Sequence, residues 1–195
     1  MNTTDPASKV MPAKKGGYDQ LYNLQALAGP GQICLAIGFH DNPADVAALH
    51  PLLRAGAASL RAAGITAAIE RALYDAGYAS DANFTTETAT ELYVAVTREA
   101  RQTRRSAAGR DPARLDSWQQ MAARLDTPDG QALYKQRKAI IEPLFAQLFA
   151  RFGRTLNYRG GKARTEIHLW AAVHNLLKAI RARQAAPARP APAAA

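Results

Sequence analysis

The chain has 195 residues, 48% of them apolar and 21% charged, with 25 basic and 16 acidic side chains and a formal charge of +9. That apolar share over that length suits a globular domain with a core of useful size and excludes a disordered polyelectrolyte. A single cysteine, Cys34, excludes a disulfide framework and fits a reducing compartment.

No apolar run approaches the roughly 20 residues of a membrane span. The start, M-N-T-T-D-P, lacks a basic segment followed by an apolar one. A cytoplasmic protein without membrane contact is expected. Cys34 lies in the apolar run Ile33–Ile37 and is expected to be a buried, inert thiol.

The charge is unevenly spread. Residues 1–97 hold 6 basic and 9 acidic side chains, a net −3; residues 98–195 hold 19 and 7, a net +12. A basic second half suits a polyanion, because Lys and Arg on phosphates release condensed counterions. A solvated basic surface gives the same count, so charge alone leaves both readings open.

Residues 1–16 carry Pro6, Pro12 and Gly16 and read as a loop. Tyr22 to Ala28 and Gln32 to Phe39 are β-compatible runs around Gly29-Pro30-Gly31, which predicts a hairpin. A helix is expected over 44–63, with Asp45 in its acidic first turn and Gly64 as its stop. Ala67 to Tyr74 reads as a buried strand running into Asp75, and Leu92 to Thr97 as another, after a Thr-rich turn.

Arg98 to Arg114 is basic and reads as a surface loop; 98–130 is a basic insert region. Ser117 to Leu125 predicts a short helix, and Thr127-Pro128-Asp129 the cap and first turn of the next. That helix, Leu133 to Phe152, carries an apolar stripe of Ile141, Leu144, Phe145, Leu148 and Phe152. After a Gly- and Arg-rich link, an amphipathic helix is expected from about Ala163 to Arg183. The Ala/Pro-rich tail, 184–195, reads as disordered.

On the first long helix, Tyr134, Lys138 and Glu142 follow at i, i+4 and i+8 and share a face. Glu142 there is either an ion-paired structural residue, partly shielded from water, or a metal ligand at the rim of a site. Asp75 ends a strand, where open α/β sheets commonly meet ligands; a turn-forming Asp ahead of a glycine is the plainer reading. The four histidines show no zinc-type spacing, and no glycine-rich nucleotide loop occurs.

Five blocks in order, T4-D-P-A-S-K-V-M, Y22-N-L-Q, Y74-D-A-G-Y-A-S, Y134-K-Q-R-K-A-I-I-E-P-L-F and H174-N-L-L-K, resemble those of DDE transposases from bacterial insertion sequences. The resemblance implies an α/β, RNase H-like catalytic domain over residues 1–183, a mixed sheet with flanking helices and a helical carboxy-terminal region. It implies Asp75 and Glu142 as catalytic ligands of Mg²⁺ or Mn²⁺. Tyr134, Arg137 and Lys138 would support DNA, that is, transposon ends and target. It implies metal-dependent strand cleavage and strand transfer, and allows a homodimer.

Two departures stand out. Relatives supply a first catalytic Asp from a strand upstream of T-D-P, and this chain starts almost at T-D-P. Asp5 is the nearest candidate, and an amino-terminally truncated domain lacking that Asp is expected. Phe149 stands where many relatives carry a Lys. The alternatives are a catalytically inactive DNA-binding remnant, or an unrelated α/β protein whose basic half binds RNA.

Overall fold

The computed structural model describes residues 5–13, 16–40, 44–96 and 116–185. Of the basic insert region expected at 98–130, residues 98–115 lie outside these while 117–125 and 128–130 are helical; of the tail expected at 184–195, residues 186–195 lie outside and 184–185 end a helix. The architecture is mixed α/β, and no described helix is long and apolar enough to cross a membrane.

Among the described residues, six short strands form three two-stranded pairs rather than the single mixed sheet expected. β1 (Lys9–Pro12) pairs antiparallel with β2 (Tyr18–Leu21), so the segment read as a loop contains a strand. Pro12 closes its end, where a missing N–H costs little.

The predicted hairpin is present as β3 (Asn23–Gly29) and β4 (Ile33–His40), antiparallel, with a bulge at Leu27/Ala28. β5 (Arg71–Tyr74) runs parallel to β6 (Glu91–Val94). The polar stretch between them is not only a turn. The helix expected at 44–63 opens as a 3-10 turn, Asp45–Ala48, and continues as α1 (Leu49–Ala62). Between β5 and β6 lies a short helix, α2 (Asp81–Thr85), capped by Ser80.

α1 lies so close to the hairpin that a Cβ on Gly56 would stand 2.5 Å from Leu27 Cδ2. α3 (Ser117–Leu125) starts from a complete capping box of Asp116 and Gln119. α4 (Pro128–Phe152) starts from Thr127, whose hydroxyl accepts from Gly130 N–H at 3.0 Å, and it runs on through Pro143. α5 spans Gly161–Ala185.

The hairpin lies between two apolar clusters. On one side Leu27 joins Leu49, Leu52 and Leu53 of α1, Tyr74 of β5, Val94 of β6 and Met121 of α3. On the other, Cys34 and Ile37 of β4 join Leu144 and Leu148 of α4 and Ile167 and Trp170 of α5. Leu144, Leu148 and Ile167 are fully buried, as the helical stripe predicts. Burial pushes the Cys34 thiol pKa up to about 11, in keeping with an inert thiol.

The α5 stripe is less buried than its pattern suggests: Leu169, Val173, Leu176 and Ile180 are exposed. α5 is instead held to the hairpin by polar side chains of H174-N-L-L-K. Asn175 Nδ2 donates to Cys34 O and its Oδ1 accepts from Cys34 N–H, both at 2.8 Å, so a carboxamide pairs with the edge of β4 as a strand would. Buried His174 donates from Nε2 to Gln32 O at 2.7 Å, and Lys178 Nζ donates to Gln32 Oε1 at 2.7 Å. Gln32 has a φ of 60°, a strained value for a side-chain-bearing residue, and these two bonds hold it there.

The link between α4 and α5 is braced from beneath. Glu166, buried, accepts from Asn157 N–H and Nδ2 and from Tyr158 N–H at 2.7 to 3.1 Å. Burial alone would raise its pKa, but the bonds from Asn157 and Tyr158 outweigh that and hold it below the ordinary carboxylate value.

Two outcomes follow for stability. Asn175→Ala leaves both Cys34 main-chain groups without their side-chain partner and should cost about 1–3 kcal/mol in chemical denaturation. Because the Glu166 pKa is lower folded than unfolded, its contribution is complete above the unfolded value and fades as pH falls through the folded one. An acid titration of wild type against Glu166→Gln should therefore show the wild-type advantage shrinking below about pH 4.

Candidate active site

Asp75 follows the last residue of β5 and caps a 3-10 turn, Ala76–Tyr78, accepting from Gly77 N–H at 3.0 Å through Oδ1. Its side chain is 48% exposed, so it meets solvent while its backbone is fixed by the strand. α4 crosses the end of that strand. The Tyr134 hydroxyl donates to Tyr74 O at 3.1 Å, one residue before Asp75.

One turn further along α4, Arg137 Nη1 stands 3.9 Å from Asp75 Oδ2, with the guanidinium 5.7 Å above the Tyr134 ring. Among the described residues, buried Arg137 Nε has no hydrogen-bond partner.

Asp75 and Glu142 line one cleft of about 940 Å³ between β5, the hairpin and α4. Glu142 is exposed there, more open to water than the sequence suggested, and so is Lys138. Tyr134 and Arg137 are half-buried and face inward, whereas Lys138 faces out.

The cleft also holds a carboxylate that sequence reasoning missed. A Cβ on Gly77 would stand 3.0 Å from Asp45 Oδ2 and 3.1 Å from Asp75 Oδ1, so the two acids flank the same glycine. From its position in the sequence, Asp45 is only a first-turn acid.

Its Oδ1 accepts from Asn23 Nδ2 at 2.9 Å and Gln25 Nε2 at 2.8 Å, while the Tyr78 hydroxyl donates to Gln25 Oε1. Burial, with Asp45 and Asp75 adding to it, raises the Tyr78 pKa and keeps that hydroxyl a donor. The available signal was Asn23 and Gln25 themselves, two carboxamides at i and i+2 on one strand face. The Y22-N-L-Q and Y74-D-A-G-Y blocks thus interlock through Asp45.

Asp5 is elsewhere. It is buried, and its carboxylate accepts from the Tyr22 hydroxyl at 2.7 and 2.8 Å and from Gly160 N–H at 3.2 Å. It ties the start of the described chain to the α4–α5 link and does not line the cleft.

The cleft's ionisable donors are carboxylates, from Asp45, Glu70, Asp75 and Glu142, with no thiol or imidazole among its lining residues. Oxygen donors of that kind suit a hard cation such as Mg²⁺ or Mn²⁺. Among the described residues, no three His, Cys, Asp or Glu side chains are gathered into a ready metal cage.

Comparison with known proteins adds a class. Residues 95–180 match the family described as "Transposase DDE domain". The matched stretch holds the Glu142 helix and most of α5. Asp75 lies ahead of it. No curated protein and no solved structure matches the chain.

The inward placement of Tyr134 has a direct check. Tyr134→Phe removes the bond to the Tyr74 carbonyl and should lower stability by about 0.5–1.5 kcal/mol in urea denaturation.

Proposed function

We propose that the chain is an RNase H-like DDE transposase domain acting on DNA phosphodiesters, with Asp75 and Glu142 as the carboxylates that hold a divalent cation. The single observation that carries this reading is their convergence, from positions far apart in sequence, on one cleft beside a cation-bearing helix. The transposase match over the Glu142 helix and the parallel β5–β6 pair ending at Asp75 support it.

Bound there, Mg²⁺ or Mn²⁺ would polarise a phosphoryl oxygen and lower the pKa of the attacking hydroxyl. The chain's own residues do the rest. Asp75 is oriented by Gly77 N–H and neutralised by Arg137 until a cation takes that role. The partly exposed Arg137 guanidinium and the exposed Lys138 ammonium are donors for the strand's phosphates. Tyr134 keeps Arg137 aimed, through its ring and its bond to β5. DNA, as transposon end and target, is the partner, and strand cleavage followed by strand transfer is the reaction.

A second reading has its own support. Asp5 is committed to Tyr22 and Gly160 and lies away from the cleft, so it does not take the place of the family's first Asp. A DNA-binding remnant that has lost the chemistry would look the same around α4.

A supercoiled-plasmid nicking assay separates the two. Mg²⁺-dependent nicking abolished by Asp75→Ala and by Glu142→Ala supports the enzyme. DNA binding with no nicking above those variants supports the remnant.

A further inference from the structure

α4 does not end its usefulness at Glu142. Phe145, on the cleft wall, stacks on Phe149 with ring centroids 5.8 Å apart, and the Arg154 guanidinium sits 4.8 Å above the Phe149 ring. Phe149 is two helical turns from Glu142 and so on its face. The ladder ends in the Arg154 cation, at most roughly 10 Å from the Phe145 ring, a reach of up to about three nucleotides at 3.4 Å each.

Beyond Arg154 comes the link to α5. From Arg151 to Arg164 it carries five basic residues and no acidic one. Arg154, Arg159 and Lys162 are exposed, and Tyr158 is 56% exposed in their midst. A run of surface cations is ordinarily only a solvated face. This one is built differently, because two buried carboxylates are spent on its backbone. Glu166 fixes Asn157 and Tyr158, and Asp5 with the Tyr22 hydroxyl fixes Gly160. Gly160, at a φ of 59°, gives the turn its left-handed corner. Burying carboxylates costs desolvation, and here it yields a rigid display of cations around an aromatic ring.

We propose that this braced turn, Arg154 to Lys162, is a DNA backbone contact that fixes the strand within about three nucleotides of the cleft wall at Phe145. Arg154, Arg159 and Lys162 bind phosphates, and Tyr158 stacks on an unpaired base. The proposal rests on the transposase reading but concerns where DNA lies, not whether it is cut.

The test is fluorescence anisotropy on a labelled duplex with a frayed end, over a salt series. Removing one phosphate-binding side chain should reduce the slope of log affinity against log salt by roughly 0.9. Arg154→Gln should therefore lower the slope by about one and the pair Arg159→Gln/Lys162→Gln by about two. Arg181→Gln, the same charge change at the far end of α5, should leave it unaltered.

Tyr158→Ala should weaken frayed-end binding by roughly tenfold with the slope unchanged. Wild-type slopes in both turn variants, or an equal reduction in Arg181→Gln, would overturn the proposal while the transposase reading stands. An unaffected Tyr158→Ala would overturn the stacking on an unpaired base. Failure of the wild-type protein to bind DNA at all would remove the reading beneath it.

Discussion

The point on which the structure turns is the junction between α4 and the end of β5. There a tyrosine hydroxyl on the helix meets the main-chain carbonyl just before Asp75. A hydrogen bond of this kind is worth only about 1 kcal/mol, but its value here is geometric. It sets the height of the helix against the strand. From that one registration follow the Arg137–Asp75 approach, the facing of Glu142 into the same cleft, and the line of Phe145, Phe149 and Arg154 leading away from it.

The acids of the chain divide according to what surrounds them. Asp5, Asp45 and Glu166 each accept two or more hydrogen bonds from neutral groups, and Asp5 and Glu166 are buried. Such carboxylates serve the structure: they hold a loop, a strand and a turn. Asp75 and Glu142 stay open to water at a cleft. The arrangement around them is therefore a frame made of satisfied carboxylates with two less constrained ones at its mouth.

Much of this was legible beforehand, where a local rule governs. Gly29-Pro30-Gly31 announced the hairpin, Thr127-Pro128 the start of α4, and the spacing of Leu144 and Leu148 their full burial. What escaped depended on distant partners. Pro12 looked like a loop residue because its strand depends on pairing with β2. The α5 stripe looked buried, yet polar Asn175 and His174 dock that helix and leave Leu169 and Leu176 exposed. Asp45 joins the site through Asn23, Gln25 and Gly77, none near it in sequence. The departure at Phe149 also changes meaning in three dimensions, since its ring carries the Arg154 guanidinium on the Glu142 face.

The central claim is that two carboxylates share one cation, and a double-mutant cycle on Mn²⁺ binding addresses it most directly. Mn²⁺ affinity would be measured by electron paramagnetic resonance for wild type, Asp75→Asn, Glu142→Gln and the double variant. A shared ion predicts that each single change weakens binding at least tenfold and that the double change costs far less than the two combined. Unaltered Mn²⁺ affinity in both single variants, or strictly additive losses, would contradict it.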